Sequence, residues 1–143
     1  MQKDVRDWSR QLVQRELEPT LNYRFEKSIR IRKRSDFQRI QRSGRRFRQR
    51  DILALVLPSQ GDECRYGLTV SRKVGNAVKR NRVKRLLREA IRHERHILDA
   101  ANACWDVVVI AHQTSVAASA ETLRKQVIVI MERIVAQDER NRK

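Results

Sequence analysis

The segment best equipped for chemistry is Gly75-Asn76-Ala77-Val78-Lys79-Arg80-Asn81-Arg82-Val83-Lys84-Arg85-Leu86-Leu87-Arg88-Glu89-Ala90-Ile91-Arg92. At helical spacing Val83, Leu86, Leu87, Ala90 and Ile91 share one apolar stripe. Lys79, Arg80, Arg82, Lys84, Arg85, Arg88 and Arg92 crowd the remaining surface. Cations in the first turns oppose the partial positive charge of a helix N-terminus. A chain that gathers them there is built to meet a polyanion, because the helix end and the guanidinium forks both suit phosphate oxygens. A merely solvated basic face is the plainer reading, and the nearly one-signed charge argues against it.

Other reactive side chains are sparse. Asp36 and Asp106 stand isolated in the sequence, and most other acids fall beside basic residues, so no carboxylate cluster for two-metal phosphodiester cleavage is expected. His93 and His96 share a helix face at a spacing that zinc can use. Nothing in the sequence brings Cys64 or Cys104 to them, and the cysteines read as small buried hydrophobes. No catalytic residue is assigned to the chain.

The elements that must position the basic segment follow from pattern. The 143 residues suffice for one domain. Lys and Arg number 33 against 17 Asp and Glu, a net charge of +16 that calls for an acidic partner, nucleic acid or an anionic membrane surface. No apolar run approaches the roughly 18–20 residues needed to cross a bilayer. Met1-Gln2-Lys3-Asp4 lacks the apolar core of a signal peptide. A cytoplasmic location without a membrane partner is therefore expected.

Residues 1–28 read as an N-terminal extension, helical through Val5, Trp8, Leu12, Val13 and Leu17 and stopped at Pro19. The domain proper spans 29–135. Ser35 and Gln38 form a capping-box pattern for a short helix that Gly44 would end in a left-handed turn. Arg45, Arg46, Arg48 and Arg50 follow as a basic connector, with room for a strand near Arg46–Arg50. Ile52–Leu57, Tyr66–Ser71 and Trp105–Ala111 read as strands. The basic helix is expected from Asn76 to Leu98. A last helix runs from Ala120 to Val135 on Leu123, Val127, Ile130, Met131 and Ile134, and 136–143 is a polar tail expected to fray. This order gives an α+β, two-layer α/β sandwich with one mixed sheet.

Four ordered blocks carry a resemblance to the protein subunit of bacterial ribonuclease P. They are Arg34-Ser35-Asp36-Phe37-Gln38-Arg39; Arg65-Tyr66-Gly67-Leu68-Thr69-Val70-Ser71-Arg72-Lys73-Val74-Gly75-Asn76-Ala77-Val78; Lys79 to Glu89 with its Arg80-Asn81-Arg82 motif; and Trp105-Asp106-Val107-Val108-Val109-Ile110-Ala111. The resemblance implies a ribosomal-protein-like fold of three helices and a mixed four-stranded sheet with a left-handed βαβ crossover. It implies removal of the 5′ leader from precursor tRNA by a catalytic RNA that the protein assists, in a 1:1 holoenzyme. Mg2+ would be bound mainly by the RNA and substrate. On matching positions, Arg80, Asn81, Arg82, Lys84, Arg85 and Arg88, with Arg72 and Lys73, would contact the catalytic RNA, although Arg85 could equally serve structure at the sheet edge. Phe37, Leu55, Thr69 and Arg80 would line the leader cleft, with a plain core role for Phe37 left open. Gln41 and Leu55 stand where relatives can carry aromatics, so this cleft should lean on charge. A ribosomal or general RNA-binding protein without a processing role is the alternative.

Overall fold

The computed structural model of the chain describes residues 29–101 and 103–142. The expected N-terminal helix within 1–28 lies outside them. Helix α1 (Arg34–Ser43) leads into strands β1 (Arg45–Arg48), β2 (Ile52–Pro58) and β3 (Arg65–Thr69). Helix α2 (Ala77–Glu94), a short α3 (His96–Asp99), strand β4 (Trp105–Ala111) and helix α4 (Ala120–Arg142) complete the order. The four strands form one mixed sheet in the order β1-β2-β4-β3. β2 runs antiparallel to β1 and β4, whereas β3 and β4 are parallel and joined through α2.

Strand alternation divides the sheet into two faces. Phe47, Ala54, Val56, Tyr66, Val107 and Val109 point into the main core, where they meet the stripes of α2 and α4. Val83, Leu87 and Ile91 of α2 are each fully buried, worth about 2 kcal/mol apiece. That burial fixes the rotation of α2 and turns its cations outward. The opposite face carries Leu53, Leu55 and Val108, covered by Ile40 and the half-buried Phe37 of α1. Asp51, in the β1–β2 turn, is locked to α4: its amide donates to Gln126 Oε1 at 2.9 Å, and Gln126 Nε2 donates to its Oδ2 at 2.6 Å.

Several local expectations change. The capping box does not form: α1 begins at Arg34, Lys33 occupies the cap position, and no side chain caps the end. Gly44 ends α1 in extended geometry (φ −71°, ψ 148°), not in a left-handed turn. Glycine is needed there for space, because a Cβ would lie 2.5 Å from the Ile40 carbonyl oxygen. β3 stops at Thr69, and a single 3-10 turn, Arg72–Val74, precedes Gly75. The basic helix breaks after Glu94, where His96 Nδ1 engages the His93 carbonyl at 3.0 Å and competes with the helical ladder. α4 continues to Arg142 instead of ending at Val135, since its polar last turns contain neither Gly nor Pro and propagation is cheap once a helix has started.

Gly44→Ala should cost about 1–3 kcal/mol of unfolding free energy through overpacking against that carbonyl. Urea melting reads this, with Gly61→Ala as the control: its added Cβ meets only Ser59 Oγ at 4.0 Å. The control should stay within about 0.5 kcal/mol.

Candidate nucleic-acid interface

Gly75 makes the turn into α2 at φ 157°, ψ −166°, a region open essentially to glycine. Asn76 then caps the helix, its Oδ1 accepting from the Lys79 amide at 3.0 Å. No acid occurs between Ala77 and Arg88, the first three turns. Asn81, Arg82, Arg85 and Arg88 are exposed on this stretch, Lys84 is half-buried, and Arg72 and Lys73 are exposed in the turn just before it. The six cations Arg72, Lys73, Lys79, Lys84, Arg85 and Arg88 have no acidic partner among the described residues. Acids gather at the other end of the helix. Glu89 pairs with Arg92 at 2.8 Å, and the buried Glu94 pairs with Arg124 of α4. The Arg92 hydrogen bond holds the Glu89 carboxyl below its ordinary range. The helix is thus neutralised at its C-terminal end and bare at its N-terminal end.

Two motif arginines differ from the rest. Arg82 donates to the carbonyls of Val116 (3.2 Å) and Ala118 (3.3 Å), tying α2 to the turn before α4. Arg80 is half-buried, and its Nε is enclosed without a hydrogen-bond partner. A buried donor left unmade costs about 1–3 kcal/mol, so the placement of Arg80 carries a desolvation cost that Arg85 and Arg88 do not.

The second face of the sheet supplies the cleft positions. Register places its side chains in rows that cross the strands. One row is Arg46, Leu55, Val108, Gly67; the next is Arg48, Leu53, Ile110, Thr69. α1 lies over the first. The Phe37 ring packs on Gly67, where a Cβ would come within 2.8 Å of Phe37 Cζ. Leu55, 3% exposed beneath α1, supports the cleft from below and presents no surface. In the second row Ile110 and Thr69 remain half-exposed beside α1. Phe37 and Thr69 therefore border the same open strip, and Thr69 leads by chain order toward the N-terminus of α2.

Asp36 and Asp106, isolated in the sequence, are brought together. The wholly buried Asp106 accepts from Arg65 Nε (2.9 Å) and Nη2 (2.8 Å) of β3, and from Arg39 Nη2 of α1 at 3.0 Å. Asp36 lies 3.5 Å from Arg65 and 3.6 Å from Arg39. The hydrogen bond to Asp106 raises the Arg65 pKa above its ordinary value. Sequence spacing offered no signal for this clamp, which depends on the parallel register Arg65↔Asp106. Both carboxylates are thereby spent on arginine. Burial pushes the Cys64 thiol up to about 12, keeping it protonated at neutral pH, and lowers the His93 pKa, favouring its neutral imidazole. Among the described residues no three His, Cys, Asp or Glu side chains are grouped to hold a metal ion.

Arg82→Ala should lower stability by about 1 kcal/mol through its two lost hydrogen bonds. Arg85→Ala, with no hydrogen-bond or ion-pair partner among the described residues to lose, should stay within about 0.5 kcal/mol. Thermal melts of the two variants side by side make the comparison.

A sequence model of the family described as Ribonuclease P matches residues 25–135. The ribonuclease P protein component of Desulforapulum autotrophicum is 37% identical over 117 residues, covering 82% of this chain and 97% of that one. That of Listeria welshimeri is 34% identical over 120 residues, covering 82% and 98%. Among solved structures, the Staphylococcus aureus RNase P protein superposes with a TM-score of 0.63 at 30% identity, covering 73% of this chain and 93% of that one. The Thermotoga maritima RNase P protein gives 0.64 at 28%, covering 73% and 96%.

Proposed function

The chain belongs to the ribonuclease P protein family, and on that premise we propose that the acid-free first turns of α2 grip the catalytic RNA while the strip beside α1 receives the precursor-tRNA leader. As the protein component it is a subunit of ribonuclease P, the tRNA-processing ribonucleoprotein, and acts with the ribonuclease P RNA. A general RNA-binding role without processing, which charge alone leaves open, is not favoured. The observation that carries the site assignment is the uncompensated charge of α2. Arg85 and Arg88 offer bidentate forks to backbone phosphates, with Arg72, Lys73 and Lys84 beside them. Asn81 offers both a donor and an acceptor to a base or sugar edge. Arg80, in the first turns of α2, is the member assigned to the substrate leader as well as to the RNA. Arg82 contributes by fixing the helix against the turn before α4, with its remaining donors available to RNA.

A single-stranded leader would lie on the half-exposed Ile110 and Thr69, with the edge of Phe37 as its aromatic wall and the buried Leu53 as floor toward β1. With Leu55 buried and Gln41 exposed on α1, stacking surface is small and phosphate contacts dominate. The protein performs no bond cleavage in this scheme. With Asp36 and Asp106 both held by arginine, Mg2+ is assigned to the RNA and substrate, where it would supply Lewis-acid chemistry at the scissile phosphate. The protein's part is to orient the leader and to neutralise phosphate repulsion, in a 1:1 holoenzyme in the cytoplasm. No helix among the described residues is long and apolar enough to cross a membrane.

Precursor-tRNA cleavage at low magnesium, by a bacterial ribonuclease P RNA with and without the protein, tests the assignment. Correct 5′ maturation that requires the RNA and rises with added protein is expected; cleavage by the protein alone would overturn it. Holoenzyme affinity should also fall linearly on a log–log plot against salt. Replacing Arg85 and Arg88 with Gln should reduce the slope by about one to two units. A salt response unchanged by that double variant would remove α2 from the RNA interface.

A further inference from the structure

The family assignment leaves unused the strongly charged run Arg42-Ser43-Gly44-Arg45-Arg46-Phe47-Arg48-Gln49-Arg50, with five arginines in nine residues. It forms the end of α1 and strand β1, the edge of the sheet opposite β3. All five arginines are exposed, and none has an ion-pair partner among the described residues. The nearest acid in sequence, Asp51, is 3% exposed and turned inward to Gln126, so it does not offset them.

Register separates these arginines by face. Arg45 lies opposite Val56, on the side of the main core and α4, whereas Arg46 and Arg48 lie opposite Leu55 and Leu53, on the side of α1. Arg48 therefore stands at the β1 end of the row whose other members are Leu53, Ile110 and Thr69. That row is cationic at one end and leads at the other toward the capped, acid-free start of α2. Three strand spacings separate the ends, about 14 Å, or roughly four stacked nucleotides at ~3.4 Å each.

We propose that Arg46 and Arg48 form a second phosphate grip for the leader at the β1 edge. The leader then crosses the sheet perpendicular to the strands, entering from the α2 N-terminus over Thr69 and leaving over β1. The proposal rests on the leader-strip reading above and adds a direction and a length to it. The occupant is single-stranded RNA because the strip is one side chain wide, with half-exposed Ile110 and Thr69 and a buried Leu53 floor between two cationic ends. A duplex would meet the wall of α1. Short leaders end before the grip, and longer leaders reach it.

The test uses the reconstituted holoenzyme and precursor tRNAs with leaders of about two and about eight nucleotides, bracketing the ~14 Å crossing. Arg46→Gln/Arg48→Gln should weaken binding of the long-leader substrate roughly tenfold and leave the short-leader substrate unchanged. Its salt slope for the long leader should fall by about 1.4, two single-strand phosphate contacts. Arg45→Gln, which removes a charge of the same strand on the other face, should not respond to leader length; a response there equal per charge would reduce the effect to net charge and overturn the grip. Equal losses for both leaders would reassign the arginines to the catalytic RNA. If the wild-type holoenzyme gains affinity with leader length and the double variant gains as much, the grip fails while the strip stands. If the wild type ignores leader length, the strip itself fails and the grip with it. Melting curves of the variants confirm that the fold is retained.

Discussion

Asp106 is the interaction on which the functional face depends. A carboxylate with no exposed surface is costly to bury, by several kcal/mol, unless opposite charge and hydrogen bonds answer it. Two guanidinium groups do so, one from α1 and one from β3. α1 has a single fully buried side chain, Ile40, so apolar contact alone holds it weakly. The ionic clamp fixes the start of the helix over β3 and β4, and the close approach at Gly44 fixes its end beside β2. Between those anchors Phe37 is set on Gly67, and Ile110 and Thr69 are left half-exposed beside it. The open strip is a consequence of where α1 is pinned.

A chain of charge +16 must also sort its few acids. The structure places three of them at joints between elements: Asp106 between α1 and the sheet, Glu94 between α2 and α4, and Asp51 between the β1–β2 turn and α4. Each joint removes an acid from the surfaces proposed to face phosphate. The first turns of α2 and the β1 edge are stretches left without an acidic neighbour among the described residues. Self-repulsion there is the cost of affinity for a polyanion, since a surface paired internally would have little left to offer.

Much of this was legible in the sequence. β4 and β2 stand out because a strand buried on both faces reads as an unbroken apolar run. The stripe of α2 gives the rotation of its basic face because 3.6-residue periodicity survives any tertiary context in which one side is buried. What depended on non-local geometry was not legible. The Asp106 clamp needs the β3–β4 register, and Arg82's role needs the turn that α4 brings alongside α2. Burial of Leu55 follows from α1 lying above it, which no local pattern at Leu55 signals. Gly44 was recognised as a helix stop for the wrong physical reason: its backbone is ordinary, and the crowding around it is not.

The exposed edge of β1 has one more implication. Unpaired strand edges are templates for joining a second sheet, and long basic side chains on an edge are a common defence against it. Arg45, Arg46 and Arg48 line this edge, and Arg133 of α4 closes over it, stacking on Phe47 at 5.7 Å and donating to the Arg48 carbonyl at 3.2 Å. The arginines of the proposed grip therefore also disfavour pairing of this edge with a second copy of the chain, through like-charge repulsion.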